Sequence, residues 1–100
     1  MNSIQHITVQ QLQEQQAHGD SLFLLDVRED FEHELFNIGG LHIPLAEVLH
    51  QAHQIPTDKP VIVYCRKGIR SLIAIQKLQE RFGYINLINL QGGIGGMNTK

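Results

Sequence analysis

"VIVYCRKGIRS", Val61 to Ser71, is the stretch from which the rest of the chain can be read. Val61, Ile62, Val63 and Tyr64 are the most β-prone run in the sequence, and they lead straight into Cys65, the single cysteine. Arg66, Lys67, Gly68 and Arg70 crowd into the next five positions. From Ser71 onward, Leu72, Ile75, Leu78 and Phe82 recur as one helical stripe, with Arg81 in the last turn and Gly83 as C-cap. Cys65 is therefore expected in a tight turn between a buried strand and a helix that starts near Ile69–Ser71. Gly68 supplies backbone angles that a side chain would forbid. Successive N–H groups in such a turn, with the free N–H groups of the helix start, make a nest for an anion. The same setting favours thiolate over thiol, and the thiolate is the attacking species. Arg66, Lys67 and Arg70 add charge suited to holding an oxyanion, arginine as a planar fork and lysine as a point charge. A cysteine after a buried strand is otherwise a small core residue. Three cations and a glycine directly behind it do not suit a core.

Upstream, Gln5–Ile7 reads as a short strand. Thr8 reads as an N-cap boxed with Gln11, opening a glutamine-rich helix that stops at Gly19. "SLFLLDV" is a continuous apolar run ending in Asp26, the pattern of a strand buried on both faces. "REDFEHELF" is a short acidic helix, "NIGG" a loop, and "LHI" a brief strand closed by Pro44. Leu45, Val48, Leu49 and Ala52 space as one helical face, and "IPTDKP" connects it to the central strand. "INLINL" is the last strand, followed by the glycine-rich "QGGIGGMNTK". Strand and helix in alternation define an α/β fold, one domain over residues 1–100. A mainly parallel sheet of four to five strands with helices on both faces is expected. Ligands in such sheets sit beyond the carboxyl ends of strands. Asp26 and Cys65 fall at such ends and share one crevice if their strands are neighbours.

Composition limits the partners. Apolar residues at 42% and charged residues at 18% are those of a globular chain. A net charge of −2 gives no global field for nucleic acid or an anionic membrane. Positive charge is local, which points to a small anion. A single cysteine excludes an internal disulfide. "MNSIQHITVQ" lacks the basic and apolar regions of a secretory signal, and no apolar run approaches the length of a membrane span, so a reducing cytoplasmic setting is expected. Six histidines include His50 and His53 at helical spacing, but no second ligand cluster accompanies them, and they read as surface residues. No metal or cofactor is expected. Glu29, Asp30, Glu32 and Glu34 read as a solvated acidic face. "QGGIGG" is not a dinucleotide fingerprint, because no helix of useful length follows it before residue 100.

The loop spacing separates two chemistries. Cys65 to Arg70 is C-x4-R, one residue shorter than the C-x5-R of cysteine phosphatases. The shorter loop suits attack on sulfur better than attack on a phosphorus surrounded by oxygens. "LLDVRE" with "FEHELFNIGGLHIPL", then "VIVYCRKGIRS", then "NLINLQGGI", in this order, resemble the three signatures of the rhodanese family in its short single-domain form. The resemblance implies a thiosulfate sulfurtransferase. The Cys65 thiolate would take the outer sulfur of thiosulfate as a persulfide, then give it to cyanide or a thiol. It further implies that backbone amides from Arg66 through Lys67, Gly68, Ile69 and Arg70 to Ser71 hold the persulfide, and that Arg70 holds the anionic donor and fixes the loop. Asp26 and Arg28 resemble the family's D-x-R pair, expected as paired partners near the loop without a direct catalytic role. Two departures stand out: Phe36-Asn37-Ile38-Gly39-Gly40 replaces the usual Gly-His-Ile-Pro-Gly, and Gly95-Gly96-Met97 stands where a tryptophan usually follows "GGI". The second leads to the expectation that a final helix is short or absent. Alternatives are a sulfur carrier or interaction module serving a sulfur-relay partner, and, against the loop length, an oxyanion phosphatase or arsenate reductase.

Overall fold

In the computed structural model, which describes residues 3–97, the Val61–Tyr64 strand is buried at all its positions. It lies at the centre of a five-stranded sheet in the order β1 (Gln5–Ile7), β5 (Leu87–Leu90), β4 (Val61–Tyr64), β2 (Phe23–Asp26), β3 (Leu41–His42). All pairings are parallel. Its side chains alternate between two cores: Val61 and Val63 enter one, Ile62 and Tyr64 the other. The first core is closed by α3 (Ile69–Phe82) through Ala74, Ile75 and Leu78, and the second by α1 (Val9–Ala17) through Leu12. A strand covered on both faces has no polar side to show, which is why it reads as an unbroken apolar run.

Local signals hold where the sequence carries caps. Gln11 N–H donates to Thr8 Oγ1 at 3.1 Å and Thr8 N–H donates to Gln11 Oε1 at 2.9 Å, a complete capping box. Two expectations fail. Residues 45–52 do not form one helix but two separate 3₁₀ turns, Leu45–Glu47 and Ala52–Gln54. Gln51, at φ −109° and ψ 20°, breaks the run, and burial of Val48, Ala52 and Ile55 against the sheet decides the path rather than helix propensity. The α3 stripe is also rotated. Ser71, Ala74, Ile75 and Leu78 face the core, whereas Phe82 is exposed beyond the end of the packed face. Tyr84 fills that end instead, its hydroxyl donating to the Ala52 carbonyl at 2.7 Å.

The topology makes the crevice. The chain leaves β2 in one direction toward β3 and leaves β4 in the other toward β5, so the loops after β2 and β4 part at adjacent strands. Asp26 pairs with Tyr64 in register, and Val27 N–H donates to the Tyr64 carbonyl at 3.1 Å. The neighbour relation that the sequence left open is therefore present, with Cys65 one residue beyond β4. The acidic helix α2 (Asp30–Leu35) is tied to this end of the sheet by His33, which bonds Asp26, and none of its residues is fully buried.

Candidate active site

Cys65 is 1% exposed and lies in the floor of a pocket of about 390 Å³ shared with Arg66, Lys67, Ile69 and Arg70. Gly68, at φ +89°, turns the chain so that the amides point back at the sulfur. A Cβ there would also sit 2.9 Å from the Gly92 nitrogen. Gly68 N–H donates to Cys65 Sγ at 3.1 Å and Ser71 N–H at 3.3 Å, with Ser71 Oγ at 3.4 Å. Burial alone raises the thiol. The Ser71 hydroxyl and the amides of Ser71, Gly68 and Lys67 outweigh it and bring the thiol below the usual cysteine range. Arg66 and Lys67 are exposed at the rim, and the largest stabilisation at sulfur comes from one hydroxyl and the amides, with Arg70 acting as a nearby charge.

Arg70 is engaged elsewhere as well. Its two terminal nitrogens donate to the two carboxylate oxygens of Glu32, at 2.7 and 2.9 Å. Bonding to Arg70 is the largest cause that holds the Glu32 carboxyl down at about 2. Glu32 is therefore not part of a solvated acidic face: its side chain is 15% exposed, and it clamps the first turn of α3 to α2. The Arg70 charge still reaches Cys65, but two of its five donors are taken.

Asp26 and Arg28 form the buried pair expected of them, one strand over from the cysteine. Arg28 donates to Asp26 from Nε at 2.9 Å and from Nη2 at 2.8 Å, and Nη2 also reaches the Phe36 carbonyl at 2.6 Å. Burial opposes ionisation of Asp26, and the bonds from Arg28 and His33 overcome it, leaving the carboxyl below its ordinary range. His33 Nδ1 lies 2.8 Å from Asp26 Oδ2, and the His33 and His42 rings stack at 4.3 Å. These two histidines are partly buried structural members, unlike the exposed His50 and His53. The pair thus holds the C-terminal part of α2, the helix that carries Glu32, through His33 and the Phe36 carbonyl.

Two groups escaped sequence reading. The glycine-rich segment after β5 backs the loop: Ile94 N–H donates to the Cys65 carbonyl at 2.9 Å and Gly95 N–H to the Arg66 carbonyl at 2.8 Å. Gly93, at φ +68°, approaches so closely that a Cβ would sit 2.2 Å from the Arg66 carbonyl oxygen. With those carbonyls turned outward, the loop amides are left to face the sulfur. The other is Asn89 of β5, 3% exposed, whose Oδ1 accepts a short hydrogen bond from the Ser71 hydroxyl. One of two asparagines in "INLINL", it stands out in sequence no more than Asn86 does. Among the described residues no helix follows β5, and residues 98–100 of the tail lie outside them. No described helix is long and apolar enough to cross a membrane.

A five-stranded parallel sheet with a cysteine nest at its switch point is the architecture that comparison with known proteins places. Residues 8–100 match the rhodanese-like domain family, and the chain belongs to it. It is 42% identical over 71 residues to YqhL, an uncharacterized protein of Bacillus subtilis, across 70% of this chain and 56% of that one. It therefore spans little more than half the length of that relative. A sulfurtransferase of Allochromatium vinosum is 32% identical over 92 residues, 91% of this chain and 85% of its own. The crystal structure of a rhodanese-like domain protein from Staphylococcus aureus superposes with a TM-score of 0.85 at 20% identity, covering 97% and 94% of the two chains. At that identity the likeness concerns the fold.

Proposed function

We propose that the protein is a sulfurtransferase that carries a sulfane sulfur on Cys65, with thiosulfate or a similar anion as donor and cyanide or a thiol as acceptor. The observation that carries this reading is the Cys65 sulfur itself, ringed by the Gly68 and Ser71 amides at the floor of a pocket with exposed cations at its rim. Membership of the rhodanese-like family and likeness to a sulfurtransferase support it. In the first step the Cys65 thiolate attacks the outer sulfur of thiosulfate. A Cys–S bond to that sulfur forms, the bond to the sulfonate breaks, and sulfite leaves with the electron pair. In the second, the acceptor anion attacks the terminal sulfur of the persulfide and Cys65 departs as thiolate. Arg66 and Lys67 meet the donor charge, and Arg70, already paired with Glu32, chiefly holds the loop. The amides that stabilise the resting thiolate also stabilise it as a leaving group.

Cys65 is the single thiol of the chain, so no resolving cysteine lies beside it and the acceptor is external. A sulfur-relay protein in a reducing cytoplasm fits that need as well as a small thiol. Incubation with thiosulfate and cyanide is expected to yield thiocyanate, lost in Cys65→Ser. No thiocyanate would overturn the small-molecule reading. Slow turnover with ready uptake of sulfur from a protein persulfide would assign a carrier role instead. Aryl phosphate hydrolysis that disappears in Cys65→Ser would assign oxyanion chemistry.

A further inference from the structure

Ser71 has one hydroxyl proton and two claimants for it. On one side stands Cys65 Sγ at 3.4 Å, on the other Asn89 Oδ1 at hydrogen-bond contact. The amide orientation of Asn89 is set by its neighbours, because Nδ2 lies 3.4 Å from the Gly68 carbonyl, which can only accept, and 3.3 Å from His6 Nδ1. Oδ1 therefore faces Ser71. At 3% exposure Asn89 has little access to water, so losing the Ser71 proton would leave Oδ1 buried and unpaired. With the proton on Asn89, the Ser71 oxygen turns a lone pair toward the sulfur and accepts from a thiol. With the hydroxyl donating to the sulfur instead, it stabilises a thiolate.

We propose that Asn89 is a positioning residue for the transfer reaction, which competes with Cys65 for the Ser71 hydroxyl and so limits how strongly that hydroxyl binds the thiolate. The proposal rests on the sulfurtransferase reading for its purpose but not for its test. Its chemical sense is balance: a thiolate that is bonded too well is a weaker nucleophile, with a Brønsted slope of about 0.4–0.5. A hydroxyl shared with Asn89 helps release while weakening attack less than an undivided bond would. The charged and titratable groups around this cluster are His6 on β1, Arg66 and Lys67 in the loop, and Arg70 on α3 with Glu32 and Glu29 acting on it. The substitutions below leave each of them in place.

The experiment is the pH profile of Cys65 alkylation by iodoacetamide, a readout that needs no sulfur donor. In Asn89→Leu the Ser71 hydroxyl loses its competitor and turns to the sulfur. The midpoint is expected to fall by about one pH unit, a tenfold gain in thiolate fraction below it. The plateau rate at high pH should drop about threefold, as the Brønsted slope requires. In a Ser71→Ala background the same substitution should leave the midpoint unmoved, since the contested proton is gone. If Asn89→Leu does not fold cooperatively, Asn89→Ala carries the same expectation. A midpoint that is unchanged or raised, or a fall that persists without the Ser71 hydroxyl, would overturn the proposal. Absence of thiocyanate formation with these shifts intact would instead count against the sulfurtransferase reading alone.

Discussion

At the Cys65 sulfur, burial and hydrogen bonding oppose one another, and hydrogen bonding wins. Because the thiol lies below its usual range, alkylation and sulfur uptake should persist at a pH where an ordinary cysteine is protonated. Both should fade as pH drops through the lowered midpoint, and a midpoint at or above that of free cysteine would contradict this. Cys65→Ala should abolish transfer while urea unfolding moves by no more than about 1–2 kcal/mol, the scale for trimming one small buried atom. Glu32 gives a second test with a definite sign. Its carboxyl titrates at about 2 in the folded protein against an ordinary 4.5, so its contribution to stability is complete above 4.5 and disappears as pH falls toward 2. Glu32→Gln is expected to cost on the order of 1–3 kcal/mol above that window and nothing below it, read from urea unfolding at both ends. A difference that persists at the acid end would show that the ion pair is not the source. Cys65, Gly68 and their basic neighbours were legible because loop chemistry is contiguous in sequence. Glu32 and Asn89 were not, because their partners stand 38 and 18 residues away and only the fold brings them together. Thus Arg70, expected to hold the donor, already holds a carboxylate. Arg70→Ala should therefore lower stability as well as donor use, since it strands the mostly buried Glu32 charge.

Three elements hold the loop: α3 ahead of it, α2 beside it through Glu32, and the glycine segment behind it. The last is the least tolerant. Gly93→Ala places a methyl group where the Arg66 carbonyl stands, at a φ that L side chains rarely adopt. We expect sulfur transfer to fall at least tenfold, the effect of displacing a reacting group by about 1 Å. Far-UV circular dichroism should stay that of the parent, because the sheet pairings lie elsewhere. Full activity in a folded Gly93→Ala protein would show that the backing contact is incidental. At this scale the capped and strongly patterned elements were readable: Thr8 with Gln11 announced α1, and "VIVY" announced β4. The 45–52 region was not, since its apolar spacing suits a helix and a pair of 3₁₀ turns equally well. Packing on the sheet chose between them. The glycine tail gave no sign of its role, because its contacts are made by backbone amides rather than side chains.

For the molecule as a whole, the sheet divides the interior into two cores that share its strands. Leu78 on α3 and Leu12 on α1 are both fully buried, on opposite sides. Each truncated to alanine should cost about 2–5 kcal/mol, and the two should add in the double variant, since they share no contacts across the sheet. Urea unfolding should remain one cooperative transition, and two separate steps would show that the cores are independent. The parallel order β1-β5-β4-β2-β3 puts the parting of the loops at β2 and β4 and so fixes where the chemistry sits. Alternating strand and helix patterns foretold that class of sheet, but the order of strands required the structure. The central claim is that Cys65 carries a sulfur atom between two reactants. Intact-protein mass spectrometry after brief exposure to thiosulfate tests it most directly. The account predicts a gain of one sulfur atom, located at Cys65 and removed by cyanide with release of thiocyanate. An unmodified protein, or a sulfur that cyanide does not remove, would contradict it.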